Sequence, residues 1–203
     1  PHRILAVTFT NKAANEMKER LHRLMGSQTA TSLTVGTFHG FCASLLRREG
    51  RHIGLEPTFS IYDDEDQLDI LKRAMAEAGT DPRRYPPRAI HDAISRAKSL
   101  LIRPHEMALT AQSYYDQVVQ RTYERYQALL DRNGAVDFDD LLLKAAVLLK
   151  ENPETLKGYQ DRFLHLLIDE FQDTNIAQYA LARLLAGGYR NICVVGDPDQ
   201  SIY

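Results

Sequence analysis

Cysteine is scarce: only Cys42 and Cys193 occur in 203 residues, and no Cys-x-x-Cys spacing exists. That excludes a zinc–cysteine site and a dithiol redox motif. Two unpaired thiols suit a reducing, cytoplasmic setting. No apolar run approaches the ~20 residues of a membrane span, and no signal-peptide pattern opens the chain, so no membrane association is expected. Neither charge sign dominates, the formal net charge being −2. A surface for a polyanion must therefore be a local patch and not the whole molecule. No stretch reads Gly-x-x-x-x-Gly-Lys-Ser/Thr, so the backbone cradle that commonly holds nucleotide phosphates is missing. Internal repeats and low-complexity tracts are absent too. So is an initiator Met, and Pro1-His2-Arg3 leads straight into an apolar run, as expected of a piece of something longer. The remainder, 44% apolar and 26% charged, is ordinary for a globular protein.

What is present alternates. Ile4 to Phe9 is a β-rich apolar run that predicts a buried strand. Thr10 or Asn11 then caps a helix whose apolar positions, Ala13 to Met25, recur at helical spacing, with Gly26 as its stop. Leu33 to Thr37 predicts a second strand, followed by a helix to about Arg48. Strand, helix, strand, helix marks the start of a parallel α/β sheet. The middle is helical: Asp63, Pro86-Pro87 and Asp137 open helices, and another covers Tyr114 to Asn133. The α/β pattern returns with a buried strand from Phe163 to Ile168, a helix capped by Thr174, and a strand from Asn191 to Val195 in which Cys193 is expected to be buried. The reading is thus α/β: a partial RecA-like parallel sheet over residues 1–40 and 161–203, with an inserted all-helical unit over 41–160. Arg47-Arg48 with Arg51-His52, and Arg83-Arg84 with Arg88, are basic clusters that read first as solvated faces.

The strand ending in Asp169-Glu170 carries the most specific chemistry. Ligands of open α/β sheets bind at the carboxyl ends of strands. One carboxylate there could hold Mg²⁺, and its neighbour could orient and deprotonate a water attacking a phosphate. Taken alone, the pair reads first as an exposed cap.

Its neighbours decide the matter. Asp169-Glu170-Phe171-Gln172-Asp173-Thr174 and Val194-Val195-Gly196-Asp197-Pro198-Asp199-Gln200-Ser201-Ile202-Tyr203 closely resemble the second and third signature motifs of superfamily 1 DNA helicases. Asp199 with Ser-Ile-Tyr is closer to the UvrD/PcrA/Rep group than to the related RecB/AddA-like recombination nuclease-helicases. Thr8 to Ala14 with Glu16-Met17 is similar to motif Ia, and Thr37-Phe38-His39-Gly40 to motif Ib. Val136 to Leu141 resembles the segment before the acidic strand. These strings occur in family order across almost the whole chain.

That resemblance implies a 3′-to-5′ ATP-dependent DNA helicase in DNA repair or replication, with ATP and Mg²⁺ as cofactors. It implies that Asp169 holds the metal, Glu170 is the catalytic base, and Gln200 contacts the γ-phosphate. Gln172 stands beside that network. Single-stranded DNA is implied at Phe9, Thr10, Asn11, Lys12, Thr37, Phe38, His39 and Tyr203; for Phe9 and Phe38 core packing is the competing expectation, and for His39 a satisfied polar role. The helical insertion corresponds to a subdomain that meets the duplex junction, with Arg83, Arg84, Arg88, Arg96 and Lys98 as phosphate candidates against an expectation of plain surface charge. Repair or replication proteins are further partners. Without the phosphate loop and a second motor lobe, the chain alone is expected to be inactive. The alternatives are a non-catalytic DNA- or partner-binding module and a recombination nuclease-helicase.

Overall fold

The computed structural model describes residues 1–200, apart from the side chains of Gln28, Thr29, Thr110 and Pro198. Strand β1 (Ile4–Thr8) is followed by helix α1 (Asn11–Met25) and a short α2 (Ser27–Ala30). Thr10 makes the cap, its hydroxyl accepting from the Ala13 N–H at 3.1 Å. Gly26 ends α1 in a left-handed conformation, φ 77°, which a residue with a Cβ rarely adopts. Then come β2 (Thr34–Thr37) and α3 (Phe38–Glu49). The middle of the chain holds β3 (Ser60–Ile61), α4 (Asp64–Glu77), α5 (Pro87–Ser99), α6 (Pro104–Thr110), α7 (Tyr114–Arg132), β4 (Ala135–Val136), α8 (Phe138–Glu151) and α9 (Pro153–Arg162). β5 (His165–Ile168), α10 (Ile176–Ala186) and β6 (Ile192–Val194) complete the order.

The four longer strands form a parallel sheet in the order β2-β1-β5-β6. The α/β expectation therefore holds, and β1 and β5 lie side by side although the whole helical stretch separates them in sequence. Register pairs Val7 with Ile168 and Ile168 with Val194, so the carboxyl ends of the strands are level.

Two hydrophobic cores result. One joins the sheet face bearing Leu5, Val7, Leu166 and Ile168 to α3, α8 and α10. The other is built by α4, α5 and α7 around residues such as Leu71, Ile90, Tyr123 and Tyr126. Between them, β3 and β4 form a two-stranded parallel ladder, Ser60 with Ala135 and Ile61 with Val136. Runs of two residues carry no readable period, so the sequence gives no sign of this ladder.

Four expectations need correction. The Phe163–Ile168 segment is buried on one face only: Leu166 and Ile168 are in the core while Leu167 is 40% exposed. Cys193 is exposed, as are Ile192 and Val194 beside it. Leu167 and Cys193 share a cause, because α1 packs on β1 and β2 and leaves that face of β5 and β6 uncovered; Ile192 and Val194, on the opposite face, are open because β6 is the end strand of the sheet. Thr174 does not cap α10. Asn175 does, accepting from the Gln178 N–H at 2.9 Å while its own N–H donates to Gln178 Oε1 at 3.0 Å; this reciprocal cap outcompetes a lone hydroxyl. Lys98 is neither a phosphate contact nor a solvated charge, being 1% exposed. Helices α6 and α9 were also not anticipated; each starts on a proline, at Pro104 and Pro153.

The thiols give a direct check. Burial raises the Cys42 thiol well above its ordinary range, whereas Cys193 faces solvent. Ellman's reagent is expected to titrate one thiol in the native protein and both after denaturation, the exposed thiol alone being accessible. Among the described residues no helix is long and apolar enough to cross a membrane.

Candidate functional site

The site lies at the level carboxyl ends of β1, β5 and β6. Asp169 is fixed there by its backbone, its N–H donating to the Val7 carbonyl at 3.0 Å. Glu170 then leaves the strand with φ 53°, in the left-handed region that a non-glycine residue occupies only when its surroundings hold it. Those surroundings are two backbone bonds across the strand ends: Val195 N–H to Ile168 O and Phe171 N–H to Val195 O, each 2.8 Å. The turn aims the Glu170 side chain into a polar chain. Gln172 Nε2 donates to Glu170 Oε2 at 2.6 Å, and Gln172 Oε1 accepts from the Asp197 N–H at 3.1 Å. Gln200 Nε2 donates in turn to Asp197 Oδ2 at 2.8 Å. Glu170, Gln172, Asp197 and Gln200 are thus linked in series, joining the ends of β5 and β6.

Gly196 makes this approach geometrically feasible. A Cβ there would stand 2.7 Å from Gln172 Oε1, 3.2 Å from the Gln172 nitrogen and 3.3 Å from the Phe171 nitrogen. The side-chain oxygen could swing away, but the two backbone atoms cannot without moving the turn. Gly196→Ala is therefore expected to break the Gln172 bridge and destabilise the protein by about 1–3 kcal/mol, the usual scale of overpacking. Thermal unfolding together with loss of the Gln172 amide resonance shift would register it.

No cluster of three or more metal-ligating side chains exists among the described residues. Mg²⁺ does not need one: it keeps most of its water and takes one or two carboxylates plus phosphate oxygens. The half-buried Asp169, with Glu170 next to it, fits that donor set.

The same end of the sheet carries the other candidates. Register pairs Thr8 with Thr37, which sets the N-termini of α1 and α3 next to each other. The hydroxyls of Thr10 and Thr37 are both committed as caps, to the Ala13 and Gly40 N–H groups at 3.1 Å. Asn11 and Lys12 are exposed on the first turn of α1, where free N–H groups and the helix dipole favour an anion. Phe38 is only 3% exposed and belongs to the core. Its ring has no open face for a base, so core packing corrects the expectation of direct contact. Phe9 is half-buried and meets Phe38 edge-on at 6.0 Å.

His39 is half-buried, with the Phe138 ring edge-on at 6.2 Å. Burial lowers its pKa from the ordinary value, opposed by the nearby Asp139 carboxylate, which favours the neutral ring. Phe138 itself is 46% exposed. It falls within the Val136–Leu141 string, and its signal in the sequence is an aromatic residue directly after the Asp137 cap, on a first turn otherwise acidic. Tyr203, with Ser201 and Ile202, lies outside the described residues.

Arg84 stands over the rings of Tyr85 at 5.4 Å and Tyr114 at 5.7 Å. Arg47 is structural, donating to the Pro57 carbonyl at 2.7 Å and lying 4.4 Å above the Phe59 ring.

Comparison with known proteins bears on all of this. The family model described as the UvrD/REP helicase N-terminal domain matches residues 1–203. The ATP-dependent DNA helicase PcrA of Bacillus subtilis is 47% identical over 203 residues, which is 100% of this chain and 27% of that protein. PcrA of Staphylococcus aureus is 45% identical over the same 203 residues, 100% of this chain and 28% of that protein. The chain thus spans little more than a quarter of the length of these relatives. A family match that runs from residue 1 to residue 203, over a chain folded around a parallel α/β sheet, makes the chain a member of the UvrD/REP helicase N-terminal domain family.

Proposed function

We propose that this chain is part of the first motor lobe of an ATP-dependent DNA helicase, moving 3′-to-5′ on single-stranded DNA in repair or replication within the cytoplasm. The supporting observation is the series Glu170–Gln172–Asp197–Gln200, which ties the catalytic carboxylate to the β6 loop. Glu170 accepts the proton of the attacking water, held in place by the Gln172 amide at 2.6 Å. Gln200 contacts the γ-phosphate. Its tether to Asp197 passes through Gln172 to Glu170, so a change at the phosphate is felt at the base and at the backbone of both strand ends. Such a contact exists with ATP and not with ADP, which is how hydrolysis biases a conformation. Asp169 is the metal ligand. Mg²⁺, when bound, neutralises charge on the β- and γ-phosphates.

DNA lies across the same end of the sheet, over Asn11, Lys12, Thr37 and the His39–Phe138 pair, with Phe9 and Thr10 completing the described surface; Tyr203, outside the described residues, is a further DNA contact on the resemblance alone. The two threonines contribute through the helix starts that they cap. Phe138 joins the set because it is the exposed ring on His39. The inserted helical unit, over 41–160 in the division 1–40, 41–160 and 161–203, meets the duplex junction; repair or replication proteins are its further partners.

For the chain by itself, the missing Gly-x-x-x-x-Gly-Lys-Ser/Thr string favours a second reading: a DNA-binding module without turnover. The test uses both forms. A longer protein carrying these residues with a phosphate loop is expected to hydrolyse ATP with Mg²⁺ and to be stimulated by single-stranded DNA. The 203-residue chain is expected to bind oligonucleotide, more weakly as salt rises, with no response to ATP. DNA-stimulated hydrolysis by the short chain would overturn the second reading, and its absence from the longer protein the first.

A further inference from the structure

Lys98 carries a full charge in the interior, and the proposed chemistry makes no use of it. Its ammonium lies 2.6 Å from Asp137 Oδ2 and 2.9 Å from Asp140 Oδ1. The Tyr126 hydroxyl donates to the same Asp137 oxygen at 2.9 Å. Burial alone would lower the lysine's pKa, but the two carboxylates outweigh it and the net direction is up. The carboxylates are themselves the reciprocal cap of α8: the Asp140 N–H donates to Asp137 Oδ1 at 2.7 Å, and the Asp137 N–H reaches Asp140 Oδ2 at 3.4 Å.

The location of this cluster matters more than its strength. Lys98 is on α5 and Tyr126 on α7, whose neighbours form the helical core, while α8 belongs to the sheet core. The ions therefore sit on the seam between the two. A buried ion pair is poor evidence of a stability role, because well-packed apolar replacements are often neutral or better. Its distinctive property is direction: apolar surfaces slide at small cost, whereas an ammonium wedged between two carboxylates has one position.

We propose that Lys98, Asp137 and Asp140 form an orientation lock that fixes the α4–α5–α7 core on the start of α8, which belongs to the core of the sheet, and so sets Phe138 against His39. Phe138 immediately follows Asp137 in the cap, so the position of its ring follows from that of α8. Lys98 is accordingly a positioning residue for a DNA surface it does not touch; this half of the inference rests on the DNA reading above.

The test is the charge-neutral variant Lys98→Met/Asp137→Asn/Asp140→Asn. Asparagine caps helices as well as aspartate, and no unpaired ion remains inside. The variant is expected to fold, with a melting midpoint close to the wild type. The nuclear Overhauser contact between the His39 and Phe138 rings is expected to disappear. Affinity for a fluorescein-labelled oligo-dT should fall about tenfold, the scale of one lost stacking contact. A folded variant that keeps the ring contact overturns the lock, and so does one that fails to fold, because the cluster would then serve stability. If the wild-type chain binds no oligo-dT, the DNA reading fails while the ring contact still decides the lock.

Discussion

Replacing Glu170 by glutamine, in a longer protein that hydrolyses ATP, is expected to lower kcat by about 10²–10⁴-fold, the range supplied by a positioned general base. The KM for ATP should change little, since the substitution removes an interaction made in the transition state and not one made to bound ATP. Glutamine is nearly isosteric, and its carbonyl oxygen still accepts from Gln172 Nε2, so the 2.6 Å bond and the turn around it survive. That separates chemistry from architecture. Oligonucleotide affinity should be unchanged, because Asn11, Lys12 and the His39–Phe138 pair lie on other elements. Steady-state kinetics with and without single-stranded DNA read the result. Turnover within about twofold of the parent would remove Glu170 from the role of base.

The backbone adds a reason to expect so clean an effect. Glu170 occupies its left-handed conformation under constraint from β6, through the two 2.8 Å bonds between Ile168, Val195 and Phe171. A side chain launched from such a turn has little freedom to relocate, and Asp173 stands at the far end of the turn that Glu170 opens, its N–H donating to the Glu170 carbonyl at 3.0 Å. Strain of this kind clusters where geometry is functional. Here it aims the carboxylate toward the Gln172–Asp197–Gln200 series.

Much of this was legible in the residues because the determinants were local. The β-rich run from Ile4, the caps at Thr10, Asp63 and Asp137, and the acidic end of β5 each carry their signal within a few positions. Asp169-Glu170 became readable through its neighbours in sequence, and the geometry supplied the part played by Gln172, whose contact with Asp197 spans 25 residues. What failed to show was non-local. Cys193 has the apolar neighbours of a buried strand, and only the sheet order reveals that nothing covers β6. Phe38 and Phe9 are alike as letters, yet one is core and the other half-open. Thr174 lost the cap to Asn175 because a reciprocal pair needs Gln178, three residues further on. Lys98 was the largest misreading: a lysine among basic neighbours, with its partners 39 and 42 positions away, gives no hint that it is interior.

That same lysine carries the second large effect. Lys98→Met alone strands the Asp137 and Asp140 carboxylates in the interior, and breaking a buried pair from one side typically costs about 3–5 kcal/mol. For a domain of this size, that corresponds to a fall in melting midpoint of about 6–20 °C. Urea and thermal unfolding should agree, and the neutral triple variant should recover most of the loss despite carrying two further substitutions. The pH dependence follows from linkage. Because the folded state raises the lysine's pKa, its contribution is complete below the unfolded value and is lost only as pH rises through the folded one. The gap between Lys98→Met and wild type is therefore expected to be constant from about pH 6 to about pH 9. Above that range it should narrow, as the lysine loses its proton and with it the contribution that the charge makes. A gap that changes between about pH 6 and about pH 9 would mean that something other than the lysine's charge carries the difference.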